Sequence, residues 1–95
     1  MLRIAICDDD DNIIGKLDTL INELQHKINE EIDIDDFLSG ETLIYELETN
    51  STIYDIFLLD IMMEKMNGIE VGKYIRQNPI YSSIEIIYLS RPTKL

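Results

Sequence analysis

The chain has 95 residues, 45% of them hydrophobic and 28% charged, which allows one domain at most and an ordinary globular balance. Nineteen acidic residues against eight basic ones leave a net charge of −11, which opposes a direct grip on nucleic-acid phosphate and suits cation binding. No stretch approaches the roughly 20 apolar residues of a membrane span, and Met1 to Cys7 is too short for a secretory signal, so a cytoplasmic location is expected.

Leu2 to Cys7 is an apolar run broken only by Arg3 and reads as a strand covered on both faces. Cys7 is the single cysteine and reads as a small core residue. "ICDDDDN", residues 6 to 12, then sets four carboxylates in a row where that strand ends. From Ile13 the period changes: Ile13, Ile14, Leu17, Leu20, Ile21, Leu24 and Ile28 recur every three or four positions. This spacing predicts a helix from about Asp11 to Glu30 with one apolar stripe. His26 falls on its outer face with no second ligand at metal spacing and reads as a surface histidine.

Ile32, Ile34 and Phe37 suggest a second strand interrupted by aspartates. Ser39-Gly40 marks a turn, and Leu43, Ile44 and Leu47 are spaced for a second helix ending near Asn50. "IFLLDI", residues 56 to 61, is the clearest strand; "MEKMNG" follows as a loop closed by Asn67-Gly68. Ile69 to Ile75 suits a third helix whose pattern Pro79 stops, and "IEIIYLS", residues 84 to 90, reads as a fourth strand. Strands alternating with helices imply an α/β fold, a parallel sheet with helices on both faces. In such sheets the functional groups gather beyond the carboxyl ends of the strands.

Asp8 and Asp9 follow the first strand, Asp60 terminates the third and Ser90 the fourth, so the fold carries distant oxygens to one edge. Crowded carboxylates repel one another, and a bound cation relieves this; hard oxygen ligands with room for water suit Mg²⁺. A carboxylate beside such a cation is able to attack phosphorus and form an acyl phosphate. Asp60, at the end of the most apolar strand, is the best-placed nucleophile. The plainer reading of the acidic run is helix capping, with Asp10, Asp11 and Asn12 as cap or first-turn residues. Met62, Met63 and Met66 read as packing residues and loop anchors.

"IAICDDD" (4 to 10), "FLLDIMMEKMNGIE" (57 to 70) and "IIYLS" (86 to 90) together resemble the receiver domain of two-component response regulators. The wording of the first two is most similar to receivers that precede LytTR-type DNA-binding domains. The resemblance implies a flavodoxin-like sheet of strand order 2-1-3-4-5. It also implies Asp60 as phosphoacceptor, Mg²⁺ held by Asp8, Asp9, Asp60 and the backbone carbonyl of Met62, and Ser90 as switch hydroxyl. A sensor histidine kinase would supply the phosphoryl group, and DNA would be reached only through a separate output domain.

Against that family pattern, Glu64 stands where many receivers carry proline, and residues 1–95 read as a receiver that is incomplete at its C-terminus. The helix, the lysine-ending fifth strand and the last helix that the family expects are not represented. Lys94 comes only four residues after Ser90, too early to be that lysine, which leaves Lys94 or Arg91 as substitutes at most. The fourth strand is then expected as a bare edge that a homodimer or a swapped assembly covers. The alternative function is a non-signalling interaction module with a residual acidic site. A hydrolase of the haloacid-dehalogenase type needs an acid two residues after the nucleophile, where Met62 stands.

Overall fold

The computed structural model describes residues 1–90. Four parallel strands, β1 (Leu2–Cys7), β2 (Ile32–Phe37), β3 (Ile56–Asp60) and β4 (Glu85–Leu89), lie in the order β2-β1-β3-β4. The connections are helices α1 (Asp11–Ile28), α2 (Gly40–Thr49) and α3 (Gly68–Arg76), followed by a 3₁₀ turn at Pro79–Tyr81. This is the flavodoxin-like order expected above, as far as its fourth strand. Each predicted element is present with ends shifted by a residue or two; the 3₁₀ turn was not anticipated from sequence.

The period of two along β1 divides the core. Ile4 and Ile6 face α1 and pack with Ile14 and Ile32, while Ala5 and Cys7 face the other way into a larger cluster with Leu43, Phe57, Leu59, Val71 and Ile75. Small side chains at positions 5 and 7 let α2 and α3 settle close to the sheet. Edge-to-face contacts Phe37–Tyr54, Tyr54–Phe57 and Phe57–Tyr81 run through that cluster, with centroids 6.3, 5.6 and 5.0 Å apart. Tyr54 keeps its hydroxyl satisfied by donating to Asp35 Oδ2 at 2.6 Å.

Helix α1 corrects one expectation. Of its predicted apolar stripe only the line through Ile14, Leu17 and Ile21 meets the sheet, whereas Leu20, Leu24 and Ile28 are 59%, 48% and 50% exposed. Leu20 lies at the edge of that strip, while Leu24 and Ile28, seven residues beyond Leu17 and Ile21 and on nearly the same side, belong to the last two turns of the helix, where the sheet no longer covers that side. The helix also ends at Ile28 and not Glu30, because Asn29 turns left-handed (φ 53°, ψ 41°) and sends the chain back toward β2.

Among the described residues β4 is an edge strand, with Ile87 and Tyr88 exposed on opposite faces. The Tyr88 hydroxyl rests over Gly72 of α3, where any Cβ would collide with it.

Candidate functional site

Parallel pairing in register decides which residues meet. Cys7 of β1 lies beside Phe37 and Leu59, and Asp60 lies beside Leu89. The residues after β1, the last residue of β3 and the residue after β4 therefore reach one rim. Oxygens of Asp8, Asp9 and Asp60 lie within 4.8 Å of one another there. Asp60 is fully buried and Asp8 is 1% exposed, while Asp9 faces solvent.

Asp8 and Asp60 are placed by backbone hydrogen bonds. Asp8 donates its N–H to Phe37 O at 3.0 Å, tying the β1 end to the β2 end, and its Oδ1 accepts the Asp10 N–H at 2.9 Å. Asp10 is then the N-cap of α1, its side chain accepting from Asn12 N at 2.9 Å, so the capping and clustering readings of the acidic run hold for different residues. Asp60 Oδ1 accepts the Met62 N–H at 3.1 Å. Behind it, Gly68 donates to Ile61 O at 3.2 Å, and a Cβ at Gly68 would overlap the Asp60 carbonyl, so only glycine lets α3 start this close to β3.

Ser90 follows Leu89, the register neighbour of Asp60, on the adjacent strand; Leu89 O also accepts the Ile61 N–H at 3.0 Å. Ser90 is exposed at the same rim. Arg91 and Lys94 lie outside the described residues.

The methionines separate into two kinds. Met63 is buried, its Sδ 3.7 Å from Cys7 Sγ, and Met66 packs against the same core cluster, both as expected. Met62 corrects the expectation: its side chain is 72% exposed, because its backbone N–H is committed to Asp60 and this turns the chain outward. Cys7, directly beneath the rim, has its thiol pushed up to about 12, first by burial and then by the charges of Asp8, Asp60, Asp9 and Glu41. It stays a neutral core group.

A cleft of about 250 Å³ adjoins the triad between the β2–α2 and β3–α3 loops, lined by Asp9, Glu41, Met63, Glu64, Lys65 and Met66 among others. Of its lining only Asp9 is a candidate site residue from sequence, where "MEKMNG" reads as a connecting loop. The spacing of Met63 and Met66 was the available signal, since two inward anchors three residues apart force the residues between them to the surface.

Three carboxylates in so small a space suit a hard divalent cation, and the donor set, all oxygen and partly solvent-facing, fits Mg²⁺.

The model of the response regulator receiver domain matches residues 4–94. The chain is 33% identical over 78 residues to response regulator ArlR of Staphylococcus saprophyticus, covering 82% of this chain and 32% of that protein. It is 31% identical over 87 residues to the transcriptional regulatory protein CiaR of Streptococcus pneumoniae, covering 92% and 35%. It thus spans about a third of the length of these curated relatives. Among solved structures, chemotaxis protein CheY4 of Vibrio cholerae superposes with a TM-score of 0.80 at 18% identity, covering 99% of this chain and 72% of that one. The receiver domain of the Francisella response regulator 1452 gives 0.76 at 26%, covering 99% and 69%. The order of strands, the buried aspartate ending β3 and the matched model together make this chain a member of the response regulator receiver domain family.

Proposed function

We propose that this receiver accepts a phosphoryl group on Asp60 from a sensor histidine kinase and relays the change to an output domain outside this chain. The observation that carries the proposal is the burial of Asp60 at a strand end with Asp8 and Asp9 oxygens within 4.8 Å. Mg²⁺ would be held by Asp8, Asp9, Asp60 and the Met62 carbonyl, and when bound it supplies charge neutralisation for the transferring group. An Asp60 carboxylate oxygen forms the new P–O bond as the bond from phosphorus to the donor breaks, and the donor leaves with its electron pair. The Met62 N–H fixes the carboxylate that attacks, and Gly68 fixes the backbone that carries it. Ser90, at the neighbouring strand end, hydrogen-bonds the added phosphoryl oxygens and reports the change to β4.

The output is a DNA-binding domain, a reading supported by the description of CiaR as a transcriptional regulatory protein and of Thermotoga maritima DrrB as an OmpR/PhoB homolog. These relatives do not support the narrower LytTR-type resemblance, so we carry the broader class alone. With a histidine kinase as partner, the chain works in the cytoplasm.

A non-signalling interaction module is the second reading, favoured by the exposed Ile87 and Tyr88 on an edge strand. Intact mass after incubation with acetyl phosphate and Mg²⁺ separates the two. Gain of a single phosphoryl group, lost in Asp60→Asn, supports the receiver; no gain in the unaltered chain supports the module.

A further inference from the structure

Met62, two residues after Asp60, is 72% exposed, while its backbone N–H donates to Asp60 Oδ1 at 3.1 Å. A side chain so exposed adds little to the core, and a thioether is among the few groups that a mild oxidant alters. We propose that Met62 is a site of reversible oxidation by neutral hydroperoxides, and that its sulfoxide slows phosphoryl gain at Asp60. The second half rests on the phosphoacceptor reading above.

Access separates Met62 from the other sulfur atoms near the site. Met63 is 8% exposed with its Sδ 3.7 Å from Cys7 Sγ, Cys7 is fully buried, and Met66 packs into the core cluster and against Gly40. Met1 is exposed as well, but it precedes β1 and so lies at the other end of the parallel strands. A sulfoxide at Met63 would put a polar oxygen into the core, whereas one at Met62 stays in water and leaves the packing alone. The backbone holds the thioether in place beside the nucleophile. Ile61 N–H donates to Leu89 O at 3.0 Å, Met62 N–H to Asp60, and Met63 N–H to Ile61 O at 3.2 Å.

In the oxidation a sulfur lone pair attacks the outer oxygen of the hydroperoxide. The S–O bond forms as the O–O bond breaks, and the departing oxygen takes the proton. Sulfur gives up two electrons, and hydrogen peroxide is reduced to water. Positive charge develops on sulfur during this step, and the carboxylates of Asp8, Asp9 and Asp60 at the same rim favour it. The net charge of −11 repels anionic oxidants and leaves an uncharged peroxide unhindered. Asp60 is fully buried, so a phosphoryl donor reaches it only through the rim that Met62 flanks. The sulfoxide oxygen is the negative end of a strong dipole and opposes the approach of an anionic donor until a methionine sulfoxide reductase removes it.

The test treats the chain with hydrogen peroxide, removes the excess with catalase and locates sulfoxide by peptide mass. Phosphoryl gain is then followed by intact mass with acetyl phosphate and Mg²⁺. The unaltered chain and Met62→Leu are each compared with their own untreated sample, so any effect of the substitution on the basal rate cancels. Met62 is expected to oxidise about tenfold faster than Met63 or Met66, and the oxidised chain to gain phosphoryl at least about threefold more slowly. Reductases for both sulfoxide epimers should restore the rate, and Met62→Leu should show no peroxide effect although its Met1 is still oxidised. An unchanged melting temperature checks that the oxidised chain remains folded. Oxidation of Met63 or Met66 ahead of Met62, a treated rate within about 1.5-fold of the untreated one, or equal slowing in Met62→Leu each overturns the inference. No phosphoryl gain by the untreated chain overturns the phosphoacceptor reading instead, and the link from Met62 to Asp60 falls with it.

Discussion

Asp18 Oδ1, on α1, is closed off from solvent and reaches no permanent donor. Opposite it, on β2, the Asp36 carboxyl is raised from 3.8 to about 6, first by burial, then by its hydrogen bond to Asp18, then by the charges of Asp18 and Asp35. When Asp36 is protonated, its carboxyl O–H is a donor for the otherwise unsatisfied Asp18 oxygen. The folded state thus binds this proton more tightly than the unfolded chain, so the stabilisation is fully present below the ordinary carboxylate value and is lost as pH rises through about 6. Asp36→Asn retains an N–H donor for Asp18 at every pH. Urea denaturation should show the variant more stable than the unaltered chain at pH 7.5, with the gap closing toward pH 5. Parallel pH profiles for the two proteins would refute the link between the Asp36 proton and stability. Neither aspartate stands out in the sequence, where β2 reads only as a strand weakened by acids; their meeting requires α1 and β2 to be packed side by side.

At the scale of elements, the join between β3 and α3 does most to shape the site. Asn67 and Glu70 close a capping box, with Glu70 N donating to Asn67 Oδ1 at 2.9 Å and Asn67 N to Glu70 Oε1 at 3.1 Å. That cap starts α3 at a residue whose missing Cβ admits the Asp60 carbonyl. The collision is with backbone and not with a flexible side-chain tip, so Gly68→Ala must displace either the strand end or the helix. A loss of about 2–3 kcal/mol is expected in chemical denaturation, together with slower labelling of Asp60, because the nucleophile moves with the strand. An Ala variant of unchanged stability would mean that the loop relaxes freely. Asn67-Gly68 was legible in the sequence as a turn pair. That its glycine is demanded by closeness and not by a left-handed angle was not, since no glycine has positive φ.

For the molecule as a whole, the triad is an oxygen site that a divalent ion is able to bridge. Any ligand bound by the folded state alone stabilises it, by about 2.7 kcal/mol at a concentration one hundred times its dissociation constant. Mg²⁺ should therefore raise the melting temperature of this chain, and Asp9→Asn should remove most of that rise. An equal Mg²⁺ response in Asp9→Asn would place the ion elsewhere. At the opposite side of the sheet from β2, the edge of β4 exposes Ile87 and Tyr88, a surface that we expect a second copy to cover. Light scattering at micromolar concentration should report a dimer of the 95-residue chain; a well-behaved monomer would count against it.

The sequence by itself determined the order of strands and helices, the apolar strand that ends in Asp60, and the acidic run that follows β1, because these depend on periodicity and on signals within a few residues. Only the tertiary structure decided that Leu20, Leu24 and Ile28 face solvent, that Met62 turns out while Met63 turns in, that Asp18 faces Asp36, and that Lys65 shares a cleft with Asp9. The reason is range. A helical stripe records which residues share a side of the helix, while burial depends on how wide a surface another part of the chain brings against it, and no local pattern carries that width.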